Sequence, residues 1–231
     1  MSGGVRAIAA VWWLVGRTQL SRARLVALAA GGVVLVALTW AVAASGGDAE
    51  PVLDRVGVDL LVPLLTLVVA ASALGDLDAD GSLVYLWLRP VPRWQLAVGA
   101  LGAVGTIAVP AVMVPIALAA IVAGLGAVSG AVAAATGAAT ALAYGAVFLA
   151  AGLWLERALL WGLLYVLVWE GPVSAASDTL ARLSVRWHAD AALEGVLPVE
   201  AHPAASSAAL AGFVVAGLMA TTWLLRRHQP T

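Results

Sequence analysis

The sequence predicts an all-α, polytopic membrane protein with six transmembrane helices, and three observations predict it. Hydrophobic residues make up 63% of the 231-residue chain and charged residues 11%, against roughly half and a quarter in a soluble domain. Six segments come close to the ~20 apolar residues that cross a bilayer as a helix: 25–44, 56–75, 96–122, 131–155, 159–176 and 205–225. The arginines, finally, crowd into alternate connections between those segments, as loops retained on one side of a membrane do.

Before the first span, residues 5–24 are too polar to cross. At 100° per residue Arg6, Arg17 and Arg24 share one stripe beside Trp13, while Ile8, Val11, Trp12 and Val15 form the opposing apolar face. That pattern predicts a helix lying in the membrane interface with Trp at headgroup level; an extended basic tail is the alternative. Pro63 in the second span, and Pro110 and Pro115 in the third, are expected to bend their helices. The fourth span carries Ala133, Gly137, Ala141 and Gly145 at four-residue spacing, a stripe of small residues that lets helix backbones approach closely. A short turn at Gly124–Gly130 precedes it.

Residues 177–204 mix Leu180, Leu183, Val185, Trp187 and Leu193 with Asp178, Arg182, Arg186, Asp190 and Glu194. This balance predicts short helices half-buried at the outer surface. With no internal repeat and no long linker, residues 1–231 read as one domain.

Orientation follows from the 12 basic residues, all arginine. A cytoplasmic N-terminus leaves nine inside (Arg6, Arg17, Arg22, Arg24, Arg89, Arg93, Arg157, Arg226 and Arg227) and three outside (Arg55, Arg182 and Arg186). Both termini are therefore expected in the cytoplasm. The N-terminus lacks a basic start, apolar run and small-residue cleavage site in the right order, so no signal peptide is expected. The expected location is the inner, cytoplasmic membrane.

Several chemistries are excluded by residue type. Without cysteine there is no disulfide, thiolate metal site or cysteine nucleophile. Without lysine there is no Walker-type phosphate loop, and no His-Glu-x-x-His or Gly-x-Ser-x-Gly occurs. His188 and His202 fall in the outer loop and His228 in the cytoplasmic tail, so they cannot share a site. Asp76-x-Asp78-x-Asp80-Gly81 resembles the first half of a calcium loop, yet the twelfth position, which needs a bidentate Glu, is Trp87. Those carboxylates serve better as a helix N-terminal cap. The chain is therefore read as no enzyme, with no metal and no cofactor of its own, and no nucleic acid among its partners.

Two acidic residues fall inside spans. Asp59 lies near the outer end of the second, and Glu170 in the outer half of the fifth. A carboxylate at membrane depth is a functional candidate by default. Gly171-Pro172 follows Glu170, and Arg182 and Arg186 lie just beyond, so pairing with such an arginine or capping an outer helix competes with a proton-relay role. A proton-coupled carrier would hold several mid-membrane carboxylates.

The cytoplasmic loop at 76–95 starts acidic, carries an amphipathic run from Ser82 to Leu88 and closes on Arg89-Pro90-Val91-Pro92-Arg93. Its core, Gly81-Ser-Leu-Val-Tyr-Leu-Trp-Leu-Arg-Pro-Val-Pro-Arg93, resembles the acidic–Gly-Thr-Leu…Leu-x-x-Pro-Val-Ser-Arg signature of permease subunits of type-2 ABC transporters. The likeness extends over most of the chain: interfacial helix, six spans, this loop, and short outer helices between spans five and six. Tyr165-Val-Leu-Val-Trp-Glu-Gly171 with Leu183-Ser-Val-Arg-Trp187 is similar to the Trp-Glu and Ser-x-Arg region of one branch. Departures are Val84 where many members have Glu, Pro92 in place of Ser, and Ala100 after Gly99 where Lys is common.

The resemblance implies a second permease subunit, identical or a sibling, and a separate ATP-binding subunit that carries the ATP and Mg. The loop would dock in a groove of that ATPase. Asp80, Gly81, Ser82, Leu83, Tyr85 and Leu86 would form the coupling helix, capped by Asp80 or Ser82, and Arg89, Pro90 and Arg93 would fix its exit angle. Anchoring of these arginines to lipid headgroups is the alternative role. The function implied is an exporter. Two rivals stand beside it: a solitary carrier or channel that uses Glu170, and an accessory scaffold subunit that forms no pathway.

Overall fold

The computed structural model describes residues 2–79, 91–194 and 203–227. Among them every regular element is helical. Helix α1 is Ser2–Gln19 and α2 is Arg22–Ala44. A continuous α3 follows, composed of Glu50–Val52, a π-wound stretch Leu53–Leu61, and Val62–Ala79. Helix α4 is Arg93–Val122 and α5 is Ala127–Trp154. The shorter α6, Ala158–Val173, begins as Ala158–Leu164 and ends π-wound over Tyr165–Val173. A single 3-10 turn, Ser174–Ala176, leads to α7 (Asp178–Ala181), α8 (Val185–Glu194) and α9 (Pro203–Arg227).

Among the described residues five helices are long and apolar enough to cross a membrane: α2, α3, α4, α5 and α9. The expected fifth crossing is the exception. Its helix has 16 residues, Ala158 to Val173, or about 24 Å at 1.5 Å per residue, short of a ~30 Å hydrocarbon core. Pro172 supplies no N–H to an α-helical register, and the chain leaves through the 3-10 turn.

Helix α5 sits at the centre, packed against α3, α4 and α9. Its composition explains that position. Ala133, Gly137, Ala141 and Gly145 are buried as the spacing predicted; a Cβ on Gly137 would meet Ile116 at 2.8 Å, and one on Gly145 would meet Val104 at 3.3 Å. Closer still, a Cβ on Gly152 would stand 2.2 Å from the Ala71 carbonyl oxygen, and one on Gly217 would stand 2.6 Å from the Ala146 backbone. Backbone touches backbone along both seams, which side chains larger than hydrogen would forbid.

Hydroxyls buried in the bundle bond one turn back along their own helix: Thr39 to the Leu35 carbonyl at 2.9 Å and Thr221 to the Gly217 carbonyl at 2.8 Å. Apolar surroundings leave them no water to use.

In α1, Val11 and Val15 are buried and Arg6, Trp13 and Arg17 exposed, whereas Trp12, expected on the apolar face, is 41% exposed. Arg24 also departs from the expected pattern. The helix stops at Gln19, and Ser21 caps α2 by accepting from the Arg24 N–H, so Arg24 belongs to the first turn of α2. Loop boundaries move as well. Helix α3 runs on through Asp76 to Ala79, and α4 starts at Arg93, placing Asp76 and Arg93 in helices and not in the loop. Asp80, Gly81, Ser82, Leu83, Tyr85, Leu86, Arg89 and Pro90 lie outside the described residues. Two short helices, α7 and α8, follow α6 where short helices were expected.

Candidate functional site

Charge divides the bundle into two ends. Arg24, Asp76, Arg157 and Arg227 lie at the end where α2 begins and α9 finishes; Asp59, Arg186 and Asp190 lie at the other. Along α3, Asp59 and Asp76 are 17 residues apart, roughly 25 Å of helix.

At the first end, α1 is clamped between α4 and α3. A Cβ on Gly99 of α4 would meet the Val11 Cβ at 2.8 Å and the Ile8 carbonyl oxygen at 2.9 Å, so the absent side chain is what lets α1 lie down. Further along, the Trp12 indole Nε1–H donates to Thr106 Oγ1 at 2.8 Å. On the α3 side, Ser72 Oγ donates to Gln19 Oε1 at 3.0 Å, and Arg24 pairs with Asp76. The same guanidinium donates to the Thr18 carbonyl at 3.1 Å. The N-terminal helix thus touches α3 at Ser72, two turns before residue 80, and α4 at Gly99, while Arg24 of α2 pairs with Asp76 one turn before residue 80. Ala100, next to Gly99, is 0% exposed, so a long charged side chain has no room there.

The other end holds a polar knot that ties α3 and α6 to α8. Glu170, 2% exposed, accepts four hydrogen bonds. Tyr165 Oη donates at 2.7 Å and the Val185 N–H at 3.3 Å to one oxygen; Ser184 Oγ and the Arg186 N–H, at 3.2 Å, donate to the other. Ser184 in turn accepts from the Trp187 N–H at 3.1 Å. Glu170 and Ser184 together cap the first turn of α8, whose N–H groups have no partners within the helix. Of the two structural roles expected for Glu170, capping is the one found.

The arginine pairing goes elsewhere. The Arg186 guanidinium meets Asp59 of α3 and reaches Asp190 at 3.8 Å. Burial, and then the Asp59 carboxylate beside it, push Asp190 up to about 7. Each π-wound stretch carries one of the two membrane carboxylates, Asp59 and Glu170. Aromatic contacts back the knot: Tyr144 stacks on Phe148 at 5.5 Å, and Phe148 meets the Tyr165 edge at 6.1 Å. His188 Nε2 donates to the Arg182 carbonyl at 3.0 Å.

Among the described residues, no group of three His, Asp or Glu side chains could hold a metal. The donors of the knot converge on one carboxylate, and the arrangement holds α8 against α3 and α6.

Sequence reasoning placed Glu170 and Arg186 near one another but did not find the Asp59–Arg186 pair, separated by 127 positions. It also did not find a sideways-opening groove of about 800 Å³ between α2 and α4. Gly32, Trp40, Pro110 and Pro115 line it, and Thr106 supplies its one hydroxyl. Gly32 packs closely on Pro115, where an added Cβ would meet the proline ring at 3.1 Å, and no local pattern encodes the groove beside that contact. No protein-family model matches the chain, and no curated protein matches it.

Proposed function

We propose that the chain is the membrane-spanning permease subunit of an ATP-binding cassette exporter in the cytoplasmic membrane, with both termini cytoplasmic. ATP and Mg bind a separate ATPase subunit, and a second permease subunit completes the pathway. Helix α1 lies in the interface, and α6 makes the sixth crossing, its shortfall covered by α7, α8 and local thinning of the bilayer.

The observation that carries this reading is the motif from Gly81 to Arg93, placed between α3 and α4 where α1 abuts both. A push on residues 80–90 from an ATPase would reach α3 through Gln19–Ser72 and Arg24–Asp76, and α4 through the Gly99 contact. Asp80, Gly81, Ser82, Leu83, Tyr85 and Leu86 form the surface that docks, and Arg89, Pro90 and Arg93 set its exit. A solitary carrier would use Glu170, whose four donors already commit it to holding α8.

The test is purification of the tagged chain from its own membrane in mild detergent, with co-purifying proteins identified by mass. A stoichiometric P-loop ATPase is expected, weakened by Arg89→Ala alone and more by Arg89→Ala with Arg93→Ala, at unchanged thermal unfolding. A clean preparation with no ATPase from gently extracted, folded protein would overturn the proposal.

A further inference from the structure

At the arginine-rich end a second cavity, of about 740 Å³, lies between α3, the end of α5, the start of α6 and the end of α9. Two guanidinium-bearing residues line it, Arg157 and Arg227, and two indoles, Trp154 and Trp223. Among the described residues neither arginine makes an ion pair; Arg227 lies over the Trp223 ring at 4.1 Å. Two carboxylates share the lining. Asp76 is neutralised by Arg24, and Glu156 leaves the cavity with one net positive charge. Leu159 and Leu224 continue the wall as apolar surface.

We infer that this cavity binds the phosphate headgroup of an anionic phospholipid, with an acyl chain running along Leu159 and Leu224. The guanidinium fork matches phosphate oxygens in two directions at once. Indoles suit the boundary between headgroup and chain, where one edge is wet and the other apolar. A free phosphate would use the arginines but gain nothing from the apolar wall. The inference rests on the chain being a membrane protein and is independent of any ATPase partner.

Native mass spectrometry of the delipidated full-length chain tests it, with dioleoyl phosphatidylglycerol and dioleoyl phosphatidylcholine as probes. The wild type is expected to retain one phosphatidylglycerol about tenfold more tightly than phosphatidylcholine, whose choline cation cancels the phosphate charge that the arginines attract. Arg157→Gln with Arg227→Gln is expected to abolish the preference, and the double Lys variant to keep part of it. Equal retention of both lipids by the wild type, or a preference unchanged in the Gln variant, overturns the site. Displacement of phosphatidylglycerol by millimolar inorganic phosphate overturns the lipid assignment in favour of a free anion. The wild-type comparison and the phosphate competition decide the matter even if the Gln variant unfolds.

Discussion

Replacing Glu170 by Gln separates a structural carboxylate from a proton-carrying one. Both oxygens of Glu170 accept, each from one hydroxyl and one backbone N–H. An amide keeps one acceptor and turns the other into an NH2 group aimed at two donors. The hydroxyl of that pair rotates to accept; the backbone N–H cannot, and stays buried without a partner. A hydrogen bond to a charged group is worth about 1.5–3 kcal/mol and a stranded buried donor costs about 1–3 kcal/mol, so the exchange destabilises by about 3 kcal/mol. For a chain of this size that lowers the unfolding midpoint by roughly 6–12 °C. The assay is thermal unfolding in one detergent, followed by circular dichroism and tryptophan emission, because Trp187 sits in the first turn of α8. A midpoint within about 2 °C of wild type would refute the capping argument. Transport lost at an unchanged midpoint would make Glu170 a proton carrier.

Three further outcomes are expected. Gly152→Ala forces a methyl into the Ala71 carbonyl, which stands 2.2 Å from its position, and is expected to cost about 1–3 kcal/mol. Gly212→Ala, with nothing within 4 Å, is expected to leave the midpoint unchanged or raised; equal losses in the two variants would contradict the α3–α5 seam. Asp190 has its folded pKa raised from 3.8 to about 7, so between those values the folded chain binds more protons than the unfolded one and stability falls as pH rises. Asp190→Asn is expected to remove that fall, making the variant progressively more stable relative to wild type from pH 4 to 8; a pH-independent difference would argue against the shift. The effect is small, since a side chain 41% exposed is screened by solvent. Gly99→Val is expected to lift α1 from α4 and open residues 19–22 to limited proteolysis, with Gly16→Val, which meets nothing within 4 Å, as the unaffected control.

The five long apolar helices among the described residues were legible because each must hide its own backbone polar groups in lipid, so length and hydropathy are local requirements. The small-residue stripe of α5 was legible for a similar reason: backbone approach needs glycine or alanine at fixed spacing. The limits of α3 and α4 were not, since Asp76 reads as loop by its charge yet is helical and paired with Arg24 of α2. The shortness of α6 was likewise hidden behind an apolar run that continued through Gly171-Pro172.

By itself the sequence determined that the chain is helical and built for a membrane, that it has no thiol or Walker-type chemistry, and that Gly81–Arg93 is its most distinctive connection. Only the tertiary structure decided that Arg186 serves Asp59 while Glu170 holds the α8 backbone, and that α1 bridges the two helices flanking that connection. These are pairings between residues far apart in the chain, where charge and hydrogen-bonding capacity name many possible partners and packing selects one.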